Sequence, residues 1–411
     1  MYFWNAKIIL LSNGERFATC VDERGVPAYY PTLYALKLRS QSKSLNTLLQ
    51  YAKFLTHFER ICMYNNYNII NEIHESRYPT EIEADWIIEG SSIAAQSLAQ
   101  YTSANVTKIA PRRWSRADLV ENNYKSQRLT VYADFIDMVC RLHENSEWRG
   151  KPRNATRQEL SSIRKDTVEY IKAHRPKLRD VNRVAGISHD QLGRLTRYLM
   201  EFGPHDVEGQ VWENPALNER NWAIARLLLE TGIRNSELRQ LKFEDLNLNQ
   251  AQITIHRRPD DPEDPRLHEP NAKTRERIIP ISDDLCQFIE NYTESYGSEA
   301  ADHSNSPFVF LSHSNNNFGQ PIGTKTVENI AADIGNYLDI HNLTPHNFRH
   351  SWIQNLADWS IREGIEPAEF DRLANTLGGW SMLSQMASKY RGDQLTKYAY
   401  EQGLRVGDNR E

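Results

Sequence analysis

Residues 227–246 read LLLETGIRNSELRQLKFEDL. The apolar run before Gly232 predicts the last turns of a helix, and glycine is typical of the position where a helix ends. A second helix is predicted to start near Asn235, so Arg234 lies at an irregular joint between two helices. Glu237 follows three residues later on the same helical face and could hold the guanidinium in place. Taken alone, such an arginine is usually half of a surface ion pair.

A second motif, LTPHNFRHSW, spans residues 343–352. Thr344 is a suitable N-cap and Pro345 a suitable first helical residue. His346 and Arg349 then share one face of the helix. The N-terminus of a helix has free N–H groups and a partial positive charge, which favour an anion. The pair is therefore predicted to bind phosphate, and three neighbours are expected to pack in the core: Phe348, His350 and Trp352.

A third motif, AKTRERIIPI, spans residues 272–281. It places Lys273 at the predicted tip of a hairpin, just ahead of a strand. A side chain at such a tip could reach over a neighbouring ligand and retract again. Considered alone, a hairpin lysine is usually just solvated.

The fourth motif, LGGWSMLSQMASKYRG, spans residues 377–392. Its glycine pair is predicted to break a helix and to present Trp380. Tyr390 follows ten residues later between Lys389 and Arg391. Two adjacent positive charges should stabilise its phenolate. A core tryptophan and a surface tyrosine would also be ordinary in this chain, which has 9 Trp and 19 Tyr.

The composition limits the class of protein. The 411 residues carry a net charge of -5 and are 39% hydrophobic, so the chain is not basic all over and can form real cores. No stretch approaches the roughly 20 apolar residues that span a bilayer, and the start lacks a signal-peptide layout. The cysteines are scattered without a CxxC pair, which argues against a disulfide framework or a thiolate zinc site and suits a reducing cytoplasm. They are Cys20, Cys62, Cys140 and Cys286.

The hydrophobic patterns predict a mainly α, α+β protein with several parts. Residues 1–35 read as a short β segment or arm, in which Asn13-Gly14 signals a two-residue hairpin. Residues 36–148 read as a small helical domain, 149–186 as a basic linker, and 187–411 as a second globular unit with a small antiparallel sheet. In the second unit, AQITIHR and ERIIPI predict a strand pair separated by an acidic, proline-rich loop of unassigned role at 257–272. Its helices are predicted at 188–202, 221–231, 324–340, 345–358 and 366–376.

The linker has a distinct charge. Residues 149–183 contain eleven Lys or Arg and four Asp or Glu, a local charge of +7 in a chain of net -5. On charge alone, a solvated linker helix is the simpler interpretation. The alternative is a basic strap that follows a phosphate backbone.

Taken together and in this order, the motifs resemble the tyrosine recombinase (phage integrase) family. TGIRNSEL resembles its first arginine box, PHNFRH its second box, and LGGW with the later KY its closing box. RSQSKSLNTLLQYAKFLTHF is similar to the family's helical, SAM-like core-binding domain, including Asn46 and Thr47. The resemblance implies a core-binding domain at 36–148 and a catalytic domain at 187–411.

The resemblance also implies a chemistry. Two arginines would neutralise a DNA phosphodiester, and a tyrosine would attack it to form a 3′-phosphotyrosine, with no metal or other cofactor. Trp380 stands where most members have histidine, and Tyr390 follows it by ten residues instead of nine, so Tyr398 and Tyr400 stay open as minor alternatives. The implied catalytic set is Arg234, Lys273, His346, Arg349, Trp380 and Tyr390.

The implied partners are double-stranded DNA at a specific site, a homotetramer on two DNA segments and accessory recombination proteins, with no membrane. The implied role is integration or excision of a mobile element in the cytoplasm, at the nucleoid. The alternatives are a type IB topoisomerase-like nicking-closing enzyme and a catalytically silent DNA-binding module. The candidate DNA-binding residues are Asn46, Thr47, Arg112, Arg113, Arg128, Arg164, Lys165, Lys172, Arg175 and Lys325.

Overall fold

The protein forms two compact units, Met1–Val181 and Asn182–Glu411. It is mainly helical, with one two-stranded and one three-stranded sheet, both antiparallel. The predicted fold class is therefore confirmed. The described helices include none long and apolar enough to cross a bilayer. The computed structural model describes residues 4–102, 114–147, 155–177, 187–206, 210–272 and 274–396.

The first unit begins with the predicted hairpin, formed by β1 (Asn5–Leu10) and β2 (Arg16–Val21). The N–H of Leu11 donates to the carbonyl of Glu15 at 2.8 Å, so the loop has three residues, whereas the sequence predicted two. Gly14 donates to the carbonyl of Leu11 and has a φ of 83°. A residue in this left-handed conformation after a tight turn is typical of three-residue hairpin loops.

The core of the first unit lies between its long helices. Phe58, Tyr132 and Phe135 are almost fully buried, and the ring centroids of Phe58 and Tyr132 lie 5.1 Å apart. The thiol of Cys20 in β2 donates to the carbonyl of Ala52 at 3.3 Å, which ties the hairpin to this core. The helices are α1 (Tyr29–Ser40), α2 (Leu45–Tyr64), α3 (Ile69–His74), α4 (Glu81–Gly90), α5 (Ala95–Thr102), α6 (Asn122–Glu147) and α7 (Ala155–Ala173).

The boundaries between the N-terminal segment, the helical domain and the linker differ from those that the sequence predicts. Position 35 lies inside α1, so the N-terminal β segment continues directly into the helical unit. The segment predicted as a linker contains α7, which packs against α4 and α6 within the first unit. The reason is an apolar face on this basic helix, where Val168 and Ile171 are buried. A count of charges does not reveal that face.

The second unit is built around a buried helix, α9 (Pro215–Thr231), whose Trp222 and Leu227 are fully buried. The small sheet consists of β3 (Leu246–Asn247), β4 (Gln252–Ile255) and β5 (Arg277–Pro280) in this order, with Ile253 opposite Ile279. The predicted helices and strand pair are present. Residues 308–311, which read FVFL, form isolated bridges at Phe308 and Leu311. The elements are α8 (His189–Glu201), α9 (Pro215–Thr231), α10 (Asn235–Gln240), β3 (Leu246–Asn247), β4 (Gln252–Ile255), β5 (Arg277–Pro280), α11 (Asp283–Tyr292), α12 (Ser298–Ser304), α13 (Thr324–Tyr337), α14 (Pro345–Arg362), α15 (Pro367–Gly378) and α16 (helical residues 386–396).

The acidic segment at 257–272 is fixed to the second unit by ion pairs. The ammonium of Lys242 lies 2.8 Å from a carboxylate oxygen of Asp261 and 2.6 Å from one of Glu263. The guanidinium of Arg266 donates to the carbonyl of Ile322 at 2.8 Å. These contacts hold the middle of the segment against the folded unit.

Candidate active site

Arg234 lies at the joint between α9 and α10, as the sequence predicted. Gly232 ends α9 with a φ of 59°, and a Cβ atom added there would lie 2.4 Å from the ring of Trp352, so the joint requires glycine. Glu237 accepts a hydrogen bond from the backbone N–H of Arg234 at 3.1 Å and one from Nη1 at 3.3 Å. Glu237 is fully buried, while the Arg234 side chain is 31% exposed. The carboxylate thus holds an arginine whose head reaches the surface.

Glu237 is the centre of a buried polar cluster that sequence reasoning only partly found. Nη2 of Arg277 donates to it at 2.8 Å, and the hydroxyl of Thr274 donates to it as well. Burial alone would raise the pKa of Glu237, but Arg277 and the hydrogen bonds lower it overall. Arg277 also donates from Nε to the carbonyl of Leu377 at 2.7 Å. Its partners are 40 and 100 positions away, so no local pattern signals this role.

Arg349 joins the ends of two helices. Nη1 donates to the carbonyl of Gly232 at 2.6 Å, and Nη2 donates to the carbonyl of Gly378 at 2.7 Å. The guanidinium carbon lies 4.6 Å from the ring centroid of Trp380, within cation–π range. Burial and then the positive charge of Arg234 lower the pKa of Arg349. Arg234 and Arg349 repel each other, so an anion bound between them would stabilise the site.

The first turns of α14 bring two histidines together beside Tyr390. His346 is exposed and His350 half-buried, and their rings meet edge to face with centroids 4.3 Å apart. The hydroxyl of Tyr390 is hydrogen-bonded to Nδ1 of His350, and the two ring centroids lie 5.5 Å apart. Burial, followed by His346 and Arg349, lowers the pKa of His350 to about 4. Burial and Arg349 also lower the pKa of His346.

The expectation that His350 packs in the core is therefore wrong. Phe348 and Trp352 are buried as expected, but His350 turns its ring to Tyr390. Successive helical residues point about 100° apart. His350 therefore points in a different direction from Arg349 and contacts Tyr390 in α16. The spacing of residues within α14 could not predict this contact.

The cation that lies beside Tyr390 in the structure is not the one that lies beside it in the sequence. Nη2 of Arg391 donates to the carbonyl of Ile365 at 2.7 Å, and its guanidinium carbon lies 5.9 Å from the Phe370 ring centroid. Arg391 is thus engaged away from the phenolic hydroxyl. Arg349 is close enough for Tyr390 to act electrostatically on its pKa. Arg349 is therefore a cation beside the tyrosine that the flanking-residue argument did not name.

Trp380 follows the predicted helix break. Gly379 has a φ of 63°, and a Cβ atom added there would lie 2.6 Å from Nη1 of Arg277. The backbone N–H of Trp380 donates to the carbonyl of Asn375 at 2.9 Å. Its indole is half-buried against Arg349. The break thus brings Trp380 into contact with Arg349, another member of the implied catalytic set.

Lys273 lies outside the described residues, as do Tyr398 and Tyr400. Its neighbours Ala272 and Thr274 are both buried. The N–H of Ala272 donates to the side chain of Gln240 at 3.1 Å. The residues flanking Lys273 are therefore anchored beside Glu237 and do not form an exposed hairpin tip. Within the described ranges, no three His, Cys, Asp or Glu residues are grouped to hold a metal ion.

Two candidate DNA-binding arginines are structural instead. Arg128 is 2% exposed, and its Nη1 donates to the carbonyl of Ile93 at 2.6 Å. Arg164 is 6% exposed and donates from Nε to Glu144 at 2.8 Å, with a second ion pair to Asp137. Neither guanidinium is presented to solvent, so neither can lie along a phosphate backbone in this conformation. The sequence shows that both side chains are basic, but it does not show that they point into the interior.

The remaining candidates differ in exposure. Lys165 and Arg175 are exposed on α7 and just after it, while Lys172 forms an ion pair with Asp134 at 2.7 Å. Lys325 is exposed near the start of α13. At the start of α2, Asn46 is exposed and Thr47 is hydrogen-bonded to Ser44 at 3.0 Å. Arg112 and Arg113 lie outside the described residues.

Comparison with known proteins gives a consistent picture. Residues 210–396 match the phage integrase family. The tyrosine recombinase XerD of Pasteurella multocida (strain Pm70) is 27% identical over 252 residues, which cover 61% of this chain and 78% of that protein. XerD of Staphylococcus haemolyticus (strain JCSC1435) is 27% identical over 160 residues, which cover 37% of this chain and 48% of that protein.

Solved structures of similar proteins include a crystal structure of XerA recombinase, with 19% identity, a TM-score of 0.37 and coverage of 71% of this chain and 93% of that one. The Tn1549 transposon integrase in complex with a circular intermediate DNA has 13% identity, a TM-score of 0.39 and coverage of 83% and 99%. The matched segment, 210–396, contains Arg234, His346, Arg349 and Tyr390. The domain at residues 210–396 therefore belongs to the tyrosine recombinase (phage integrase) family, which supports an enzyme of site-specific DNA recombination.

Proposed function

We propose that the chain cleaves and rejoins duplex DNA at a specific site through a 3′-phosphotyrosine on Tyr390. The observation that carries this proposal is the convergence of side chains at the start of α14. Arg349 is held between the ends of α9 and α15, His346 and His350 stand beside it, and the hydroxyl of Tyr390 meets His350. A nucleophile beside two cationic guanidiniums is the arrangement that phosphoryl transfer requires.

In the proposed cleavage step, the Tyr390 oxygen attacks the phosphorus and the bond from phosphorus to the 5′ oxygen breaks. Arg234 and Arg349 balance the negative charge of the phosphodiester and of the transition state. The new phosphotyrosine conserves the energy of the broken bond, so rejoining needs no nucleotide cofactor. The leaving 5′ oxygen needs a proton, and Lys273 is the proposed donor because its neighbours are anchored beside the Arg234–Glu237 pair.

Two further residues have proposed supporting roles. His346 is exposed on the first turn of α14, where it can contact a phosphate oxygen or take part in proton transfer. Trp380 can donate its single indole N–H to a non-bridging oxygen and exclude water, but it has no basic nitrogen. Its contact with Arg349 supports a place at the same phosphate.

The proposed biological role is integration or excision of a mobile element, carried out in the cytoplasm at the nucleoid by a homotetramer on two DNA segments, with accessory recombination proteins. This part rests on the family resemblance. A type IB topoisomerase-like enzyme shares the chemistry but acts as a monomer. Sedimentation of the protein with its DNA site distinguishes the two, because only the recombinase forms a stable assembly of four subunits and two duplexes.

One selection experiment tests the covalent step and identifies the target sequence at the same time. A pool of nicked duplexes with randomised sequence is incubated with the protein, and complexes that survive denaturation are selected and sequenced. The nick lets the 5′ fragment diffuse away, so the adduct accumulates. Mass spectrometry of the digested adduct is expected to find the nucleotide on Tyr390. Tyr390→Phe removes only the nucleophilic oxygen and is expected to bind the selected duplex with unchanged affinity and to form no adduct.

An adduct that persists in Tyr390→Phe and is lost in Tyr398→Phe or Tyr400→Phe would move the nucleophile to those positions. A wild-type protein that binds DNA selectively but never forms an adduct would favour the catalytically silent module.

A further inference from the structure

The Tyr390 hydroxyl is hydrogen-bonded to Nδ1 of His350, which lies one helical turn beyond the histidine of the phosphate-binding motif. His346 lies one helical turn earlier and meets the His350 ring edge to face, with 4.3 Å between the centroids. The two histidines therefore have different neighbours, although they are four residues apart on one helix.

The surroundings of His350 favour its neutral form. His346 and Arg349 face it on α14, and Tyr390 faces it from α16. Burial and the two groups on α14 lower its pKa to about 4. A neutral imidazole has one nitrogen that carries a proton and one that accepts. When the proton is on Nε2, Nδ1 accepts the hydrogen bond from the tyrosine hydroxyl.

We propose that His350 is the base that takes the phenolic proton of Tyr390, an inference that rests on the proposed nucleophile. As the tyrosine oxygen bonds to phosphorus, its proton passes to Nδ1 of His350, and the 5′ oxygen leaves with a proton from the general acid. In rejoining, the 5′ hydroxyl attacks the phosphotyrosine and passes its proton back to the group that acted as general acid, while His350 returns its own proton to the leaving tyrosine oxygen. His346 is left free to contact the phosphate from its exposed position.

The geometry allows a sharp choice of variants. The amide oxygen of asparagine lies near the position of Nδ1 in histidine, so His350→Asn can keep the hydrogen bond to Tyr390 but cannot take up a proton. His350→Ala removes both functions and leaves a space beside the hydroxyl. His346→Ala is the matched change one turn earlier on the same helix. Thermal unfolding of each variant checks that the fold is retained.

The test measures single-turnover formation of the Tyr390 adduct on the selected nicked duplex, with and without added imidazole. His350→Ala and His350→Asn are both expected to be slower by roughly a hundred-fold. Imidazole is expected to accelerate His350→Ala in proportion to its concentration and to leave His346→Ala unaffected. Rejoining of a preformed adduct should slow in the same variants, because the proton must travel back by the same route.

Near wild-type rates in His350→Asn would overturn the proposal, since His350 would then only orient the tyrosine. Rescue of His346→Ala by imidazole, without rescue of His350→Ala, would assign the base to His346. A wild-type protein without any Tyr390 adduct would overturn the proposed function and this inference together. A wild-type protein that forms the adduct, together with unchanged rates in both His350 variants, would overturn this inference and leave the proposed function intact.

An independent readout needs no DNA. In protein labelled with ¹⁵N-histidine, the nitrogen spectrum distinguishes protonated from unprotonated ring nitrogens. Nδ1 of His350 is expected to be the unprotonated nitrogen, and its signal should shift in Tyr390→Phe. A protonated Nδ1 at neutral pH would contradict the proposal, because that nitrogen could then only donate.

Discussion

Glu237 is an ionised carboxylate in the interior of the second unit, surrounded by Arg277, Thr274 and the backbone of Arg234. Its pKa is lowered in the folded state, so its contribution to stability is complete above the unfolded value of 4.5. The contribution is lost as the pH falls below that value and through the folded pKa. Removal of the charge would leave Arg277 buried without its counter-ion.

Glu237→Gln is expected to lower the free energy of unfolding by about 3 kcal/mol at pH 7, because one half of a buried ion pair is removed. The difference from wild type should shrink at pH values well below 4.5, where the wild-type carboxylate is protonated too. Urea unfolding at several pH values measures both effects. Glu299→Gln, at an exposed position in α12, is the control and should change little. An equal effect at acid and neutral pH would contradict the charge argument.

Single residues of the site could be predicted where the chemistry is local. Arg234 and Glu237 lie three positions apart, and their hydrogen bonds follow from that spacing. Arg277 and His350 could not be assigned in this way, because their partners are 100 and 40 positions distant. Those contacts are set by how helices pack in three dimensions, which a pattern within one helix does not contain.

The helix α7 has two different faces, and they predict different effects of neutralisation. Arg164 is buried with Glu144, whereas Lys165 and Arg175 are exposed. Arg164→Gln is expected to destabilise the first unit by about 3 kcal/mol, since it leaves the buried carboxylate of Glu144 without its ion pair. Lys165→Gln with Arg175→Gln should leave stability unchanged and weaken binding to all DNA sequences alike.

The binding measurement is fluorescence anisotropy over a series of salt concentrations. For every phosphate that the double variant no longer neutralises, the slope of log K against log salt should become shallower by about 0.9. The preference for the selected duplex over random DNA should barely change, because phosphate contacts carry no sequence information. An unchanged slope in the double variant would mean that the exposed face of α7 is merely solvated.

Helices were predicted most reliably where the residues at their ends mark the start or the stop of the helix. Thr344 and Pro345 start α14 as expected, and Gly232 ends α9 in the left-handed conformation. The predicted linker was wrong for α7 because an amphipathic helix and a charged strap share the same composition. Burial of one face depends on α6, and the charge count gives no information about a partner helix.

At the scale of the whole molecule, the two units have separate hydrophobic cores. Buried residues of the first core run from Phe17 to Ile171, and those of the second from Ile187 to Phe348. Each unit should therefore fold without the other. The proposed catalytic residues that the structure describes all belong to the second unit.

A fragment of residues 182–411 is accordingly expected to unfold in one cooperative transition and to form the Tyr390 adduct on the nicked duplex. Its affinity for DNA should fall at least about ten-fold if the first unit is the core-binding domain that the resemblance implies, because a second linked DNA-binding unit raises affinity through effective concentration. Circular dichroism follows the unfolding and denaturing gels follow the adduct. The same fragment with Tyr390→Phe is the control. A fragment without cooperative unfolding would show that the units depend on each other.

The carbonyl groups that hold Arg349 also determine when during synthesis the site can exist. Arg349 needs Gly232, 117 positions earlier, and Gly378, 29 positions later, and Tyr390 follows them all. A growing polypeptide on the ribosome has made the first arginine of the site long before it has made the tyrosine. On the proposed mechanism, an incomplete chain that ends before residue 390 can fold its first unit but holds no nucleophile. The order of translation therefore keeps unfinished protein from forming the covalent adduct with DNA.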